Sequence, residues 1–178
     1  MCFQAPPAIA ARPRSARVLL LSFRLGERAY AMPCSQILEV VPLTTLDPVP
    51  GAPPYVAGHL DYRGRIVPVV DLRQLVAGEP CRKVLSTRII VVEQTAPHAV
   101  LRAIGLVAER VTETVTMEPG EFHRVGVDVE HLRFLRGIAL GGRGTVQLVD
   151  VPHLCELLSS QSLSSPELRG LLLDRGWS

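Results

Sequence analysis

The sequence predicts a mainly β protein built from two packed small-barrel subdomains with a few short helices. Three observations carry that expectation. Many short runs alternate apolar with polar residues and are rich in β-branched side chains. Only three stretches show helical spacing instead. One strand-to-helix pattern occurs twice, which points to two related halves.

The strands begin after Arg17. Leu21, Phe23 and Leu25 alternate with Ser22 and Arg24, and a turn at Gly26 and Glu27 leads into Ala29, Tyr30 and Ala31. Further runs at 37–43, 66–70, 89–92, 100–108, 111–117 and 146–151 are bounded by Gly, Pro or Asp, and so many short strands favour barrels.

In DLRQLVAG, Asp71 is a helix N-cap, Leu72, Leu75 and Val76 share a face, and Gly78 is the stop. PHLCELLSS places Pro152 in a first turn and Leu154, Leu157 and Leu158 on one face. SPELRGLLLDRGW, capped by Ser165, is a helix candidate weakened by Gly170. When Asp71 is laid on Asp150, IVPVVDLRQLV faces TVQLVDVPHLC, each an apolar strand ending in Val-Asp with Leu four residues on. The loop-like EPCRKVLS then predicts a division between the halves near residues 79–86.

With 178 residues and 47% hydrophobic content the chain can bury a core of its own. Net charge is +2, and Arg12, Arg14, Arg17 and Arg24 all precede the first acid, Glu27. That balance gives no basis for a nucleic-acid groove, and an aromatic content of 4% leaves few stacking platforms. Residues 103–130 are acidic, with Glu109, Glu113, Glu118, Glu121, Asp128 and Glu130 against Arg110 and Arg124. A small nucleic-acid-binding barrel is therefore the weaker alternative.

Cys2, Cys34, Cys81 and Cys155 lie far apart with no CxxC pair and read as reduced thiols, with Cys34, Cys81 and Cys155 serving as apolar filler. No metal, cofactor or catalytic residue is expected, because His59 with Asp61, Cys34, and His123 with His131 all lack a second chemical partner at motif spacing. Apolar runs are too short for a membrane span. The acid-free stretch 1–16 is expected to be a disordered extension.

The most informative stretch is HLDYRGRIVPVVDL. Gly64 suits the positive φ of a hairpin turn, and Asp61 and Arg63, two apart, are expected on one face with Tyr62 and Ile66 toward packing. Pro68 places its strand at an edge or beside a bulge. Such a corner is either a solvated ion pair or an interface that uses arginine for register.

LSFRLGERAYAMPCSQILEVVPL, PGAPPYVAGHLDYRGRIVPVVDLR, STRIIVVE, AIGLVAERVTETVTM, LRGIAL and GTVQLVDVPHLCELL occur in the order of, and resemble, segments of the CheW-like adaptors of bacterial chemosensory arrays. The likeness covers residues 19–158, with Asp61-Tyr62 replacing the usual Asn-Leu before Arg-Gly. DYRGR, LSTR and GLVAERVTET look most like Wsp-type adaptors, which act in surface sensing that controls cyclic-di-GMP.

The resemblance implies two five-stranded β-barrels over 17–158, resembling Src-homology-3 barrels, with a tail at 159–178. It also implies a non-catalytic, cytoplasmic protein at membrane receptor arrays, joining a methyl-accepting receptor tip to the regulatory domain of a CheA-type histidine kinase. By the same resemblance Arg63 is the functional arginine and Glu39 the acid that holds it, while Ile37, Leu46 and Gly58 match partner-contact positions. Val56 is expected to join Ile37 and Leu46 in an apolar patch, and Asp61 to compete for the Arg63 charge and tune receptor choice.

Overall fold

The computed structural model describes residues 17–93, 103–118, 121–123, 132–141 and 144–162. Expectations for the extension at 1–16, for 100–102, for His131 and for the last helix candidate lie outside the described residues.

The predicted alternation folds as expected at the start of the chain. β1 (Val18–Leu25) buries Leu21, Phe23 and Leu25 and pairs antiparallel with β2 (Arg28–Pro33), where Phe23 stacks on Tyr30 at 5.9 Å. A 3₁₀ turn over Cys34–Gln36 leads to β3 (Ile37–Pro42). The hairpin β4 (Val56–Tyr62) and β5 (Arg65–Asp71) feeds α1 (Leu72–Ala77). Then come β6 (Arg88–Glu93), β7 (Ala103–Met117), the short β8 (Phe122–His123), β9 (Leu135–Gly141), β10 (Gly144–Val149) and α2 (Val151–Ser162).

Two sheets share β7. One has the order β3–β6–β7–β5–β4, and the other β7–β1–β2–β10–β9 with β8 at its edge. The order repeats in kind, because β5 runs parallel to β7 and antiparallel to β4, just as β10 runs parallel to β2 and antiparallel to β9. The predicted match of Asp71 with Asp150 is the local expression of this repeat. The Asp71 amide donates to the Tyr55 carbonyl and the Asp150 amide to the Phe134 carbonyl, each at 2.8 Å. Asp71 Oδ1 then caps α1 by accepting from the Arg73 and Gln74 amides, and Asp150 Oδ1 accepts from the His153 amide.

The division expected near 79–86 is corrected. That loop joins α1 to β6 inside one sheet, whereas β1 and β2 pair with β10 from the far end of the chain. The sheets part within β7, where residues 103–108 pair with β6 and residues 109–117 with β1. Two strands predicted on either side of Glu109 are thus one strand, bent at Arg110, whose φ is 48°. One core joins both sheets, with Phe23 and Tyr30 from one, Ile90 from the other, Leu106 from the shared β7, Phe134, and Leu154 of α2.

Cys81 and Cys155 lie in this core as apolar filler. Burial pushes both thiols up, that of Cys155 to about 12, so both stay protonated at neutral pH.

Candidate functional site

The turn between β4 and β5 has two central residues, and both take positive φ, Arg63 at 55° and Gly64 at 77°. This is the backbone of a primed hairpin turn, which matches the twist of its strands and ordinarily selects Asn-Gly. Glycine takes it freely, but arginine holds a left-handed conformation that L side chains disfavour. The expected pairing of Asp61 with Arg63 on one face is therefore corrected. Asp61 Oδ1 accepts the Gly64 amide at 2.8 Å and steadies the turn, while Arg63 leaves the strand direction altogether.

Arg63 crosses to β3. Its Nη2 donates to Glu39 Oε2 at 2.8 Å, and the Tyr62 hydroxyl donates to the same oxygen at 2.8 Å. The guanidinium carbon lies 5.2 Å from the centre of the Tyr62 ring, within cation–π range. The Tyr62 hydrogen bond, with Arg63 beside it, holds the Glu39 carboxyl below the usual carboxylate range, and the same bond raises the Tyr62 phenol. Arg63 nevertheless keeps 73% of its side chain exposed, so the charge is fixed in position and still open to a partner.

Local irregularities bring Glu39 to this place. β3 carries one extra residue between Ile37 and Glu39 in its register with β6, a bulge that re-aims the side chains after it. Ile37, Glu39 and Val41 are half-buried, and Leu38, Val40 and Pro42 face solvent, with Leu38 at 46% and Val40 at 38% exposure. β3 pairs with β6 alone in the sheet order, so these exposed apolar residues lie on an edge strand.

The other expected contact residues are less exposed than Arg63. Ile37 and Leu46 are half-buried and pack against the core, and Val56 is half-buried, so each of the three leaves part of its side chain open to solvent. Leu38 and Val40 are the exposed apolar residues the sequence reading missed. Period-two alternation could have separated them, but both faces of ILEVVP are largely apolar and the pattern alone does not say which is outside. Gly58 is buried at φ 141°, and a Cβ there would lie 2.5 Å from the Asp47 carbonyl oxygen and 3.0 Å from Leu46 Cβ. Its visible role is to let the Leu46–Asp47 segment cross β4, where Asp47 and His59 exchange backbone hydrogen bonds. Pro68 does not lie on an edge strand, because β5 runs between β4 and β7; it pairs with His59 of β4 beside the bulge between Val56 and Gly58, the other place expected for it, and just before the contact with β7 starts at Val69.

Among the described residues no cluster of three or more His, Cys, Asp or Glu is placed to hold a metal ion, and no helix is long and apolar enough to cross a membrane.

A family model described as the CheW-like domain matches residues 19–159. The chain is 28% identical over 131 residues to the chemotaxis protein CheW of Rhizobium meliloti, covering 70% of this chain and 79% of that protein. It is 22% identical over 145 residues to the chemotaxis protein CheW of Bacillus subtilis, covering 80% and 90%. The crystal structure of the scaffolding protein TtCheW from Thermoanaerobacter tengcongensis superposes with a TM-score of 0.68 at 22% identity, covering 84% of this chain and 93% of that one. With the family model spanning both sheets, this chain belongs to the CheW-like domain family.

Proposed function

We propose that this chain is a non-catalytic adaptor that joins the cytoplasmic tip of a methyl-accepting receptor to the regulatory domain of a CheA-type histidine kinase. Family membership and the chemotaxis proteins among its relatives support the adaptor class, and they give the nucleic-acid alternative no support. The observation that carries the reading is the Arg63 corner. An arginine is held at an unfavourable backbone angle, clamped by Glu39 and Tyr62, and left 73% exposed. Nothing in the turn itself requires that residue, since Asn-Gly would make it with less strain. A charge pre-set in this way fixes register and partner choice in an interface.

Ile37, Leu46 and Val56, each half-buried, supply apolar contact to a partner, Leu38 and Val40 add exposed apolar surface on β3, and Gly58 holds the crossing of the Leu46–Asp47 segment in place. Asp61 acts through the turn it caps. By holding two partners in one assembly the adaptor raises their effective concentration, so that a change in receptor packing shifts the kinase between states. The finer reading, a Wsp-type surface-sensing system controlling cyclic-di-GMP at a cytoplasmic array, rests on DYRGR, LSTR and GLVAERVTET. Deleting the gene and measuring cyclic-di-GMP on surface contact tests it: an unchanged response removes the Wsp assignment and leaves the adaptor reading intact.

A further inference from the structure

The loop between α1 and β6 carries the most exposed large apolar side chain among the described residues, Leu85 at 96%, next to Val84 at 49%. The backbone beneath this tip is held at many points. Asp71 Oδ2 accepts the Cys81 amide and Glu109 Oε1 the Arg82 amide, both at 2.8 Å, from carboxylates that are 9% and 4% exposed. Thr87, 1% exposed, donates its hydroxyl to the Arg82 carbonyl and its amide to the Val84 carbonyl. The Val111 amide holds Ser86, and Arg88 donates to the Leu85 and Thr87 carbonyls. Glu109 is itself fixed by Arg73, which also pairs with Glu79. A loop anchored this fully presents its apolar tip in one conformation, which lowers the ordering cost of any contact it makes.

We propose that residues 82–88 are a second, pre-organised docking element whose Val84–Leu85 tip seats in an acidic, amphipathic segment of a partner protein. Charge argues for that occupant. Arg82 and Lys83 flank the tip, no carboxylate of the described residues pairs with either side chain, and the nearby acids Glu79 and Glu109 are both engaged by Arg73. Shape argues for it too. The loop forms one wall of a groove of about 1130 Å³ whose other wall is Pro42–Leu46, so apolar contact continues from the tip toward Leu46. Two apolar side chains and two cations fall short of what stable attachment to a lipid surface takes.

The inference rests on the adaptor reading, and its test separates the two. Full-length wild type, Leu85→Asp, Lys83→Glu and Arg63→Ala are titrated calorimetrically against a receptor-tip fragment and, separately, against the kinase regulatory domain. Leu85→Asp is expected to keep the wild-type melting temperature and to weaken binding to one of the two probes about tenfold or more. Lys83→Glu is expected to weaken the same complex and flatten its salt dependence. Glu109→Gln, which leaves the tip intact, is expected to speed hydrogen exchange at the Arg82 amide and to weaken that complex, with the Ile90 and Leu106 amides still protected. Wild-type affinities in Leu85→Asp and Lys83→Glu, with Arg63→Ala impaired, would overturn the docking loop and leave the adaptor reading standing. A wild-type protein that binds neither probe would overturn both. Leu85-dependent binding to phosphatidylglycerol vesicles, with protein titrations unchanged, would overturn the protein partner in favour of a lipid one.

Discussion

On the proposed adaptor reading, Arg63 sets stability against partner binding at a single residue. Its φ of 55° costs about 1 kcal/mol relative to a residue that tolerates the left-handed region. Arg63→Asn is therefore expected to raise stability by up to about 1 kcal/mol in a thermal melt, while weakening the receptor or kinase complex roughly tenfold. A destabilised variant would show the guanidinium to be structural cement instead. The clamp has a pH sense as well. Glu39 is held below its ordinary value of 4.5, by the Tyr62 hydrogen bond first and by Arg63 as well, so the corner keeps its charges at neutral pH. Complex formation should be insensitive to Glu39 between pH 8 and 6, and calorimetry at falling pH should show it fade only once that lowered value is passed. Gly64 was legible in the sequence because a hairpin turn needs it, and Glu39 through the family likeness. The packing of Tyr62 against the core was legible too, but its hydrogen bond to Glu39 and the turn-capping role of Asp61 were not. Strand alternation assigned Tyr62 to packing, and only the approach of β3 to the β4–β5 turn, remote in sequence, puts its hydroxyl on Glu39.

At the scale of elements, the site depends on strands that depart from regular pairing. The β3 bulge sets Glu39, and a second bulge between Val56 and Gly58 lets the 46–47 segment cross β4. Gly58→Ala should therefore act through the backbone: its Cβ meets a carbonyl oxygen at 2.5 Å, and its φ of 141° is open to glycine alone. A loss of about 2 kcal/mol or more is expected by denaturant titration, with the Asp47–His59 bridge the first contact to open in hydrogen exchange. A variant of wild-type stability that fails to bind would return Gly58 to the contact surface. Helix α1 was read closely from its cap and stop signals, which are local. Bulges are not, because they are defined by the partner strand, and ILEVVP has no polar face to mark its outside.

For the whole molecule, the repeat was visible in two Val-Asp-helix patterns, but its boundary was not. A linear sequence invites a cut at its most loop-like segment, whereas here the sheets exchange inside β7, at Glu109 and Arg110. Glu109 consequently bears on overall stability. Burial alone would raise its carboxyl, yet the Arg82 amide and the Arg73 guanidinium, with the Gly26 backbone, bring it below the ordinary 4.5. A depressed native value means that the unfolded chain binds protons more tightly, so this contribution is present above about pH 4.5 and lost as pH falls through the native value. Glu109→Ala should cost about 2 kcal/mol at pH 7 because it leaves the Arg82 amide without its acceptor and Arg73 with Glu79 alone, and the deficit should shrink on acidification; a deficit that is constant with pH would contradict this. The central claim, an adaptor whose exposed arginine corner is an interface, is tested most directly by titrating wild type and Arg63→Ala against the kinase regulatory domain and the receptor-tip fragment. The account predicts micromolar binding by wild type and roughly tenfold weaker binding by an Arg63→Ala variant that melts like the parent. Equal binding by the two proteins, or none by the wild type, would contradict it.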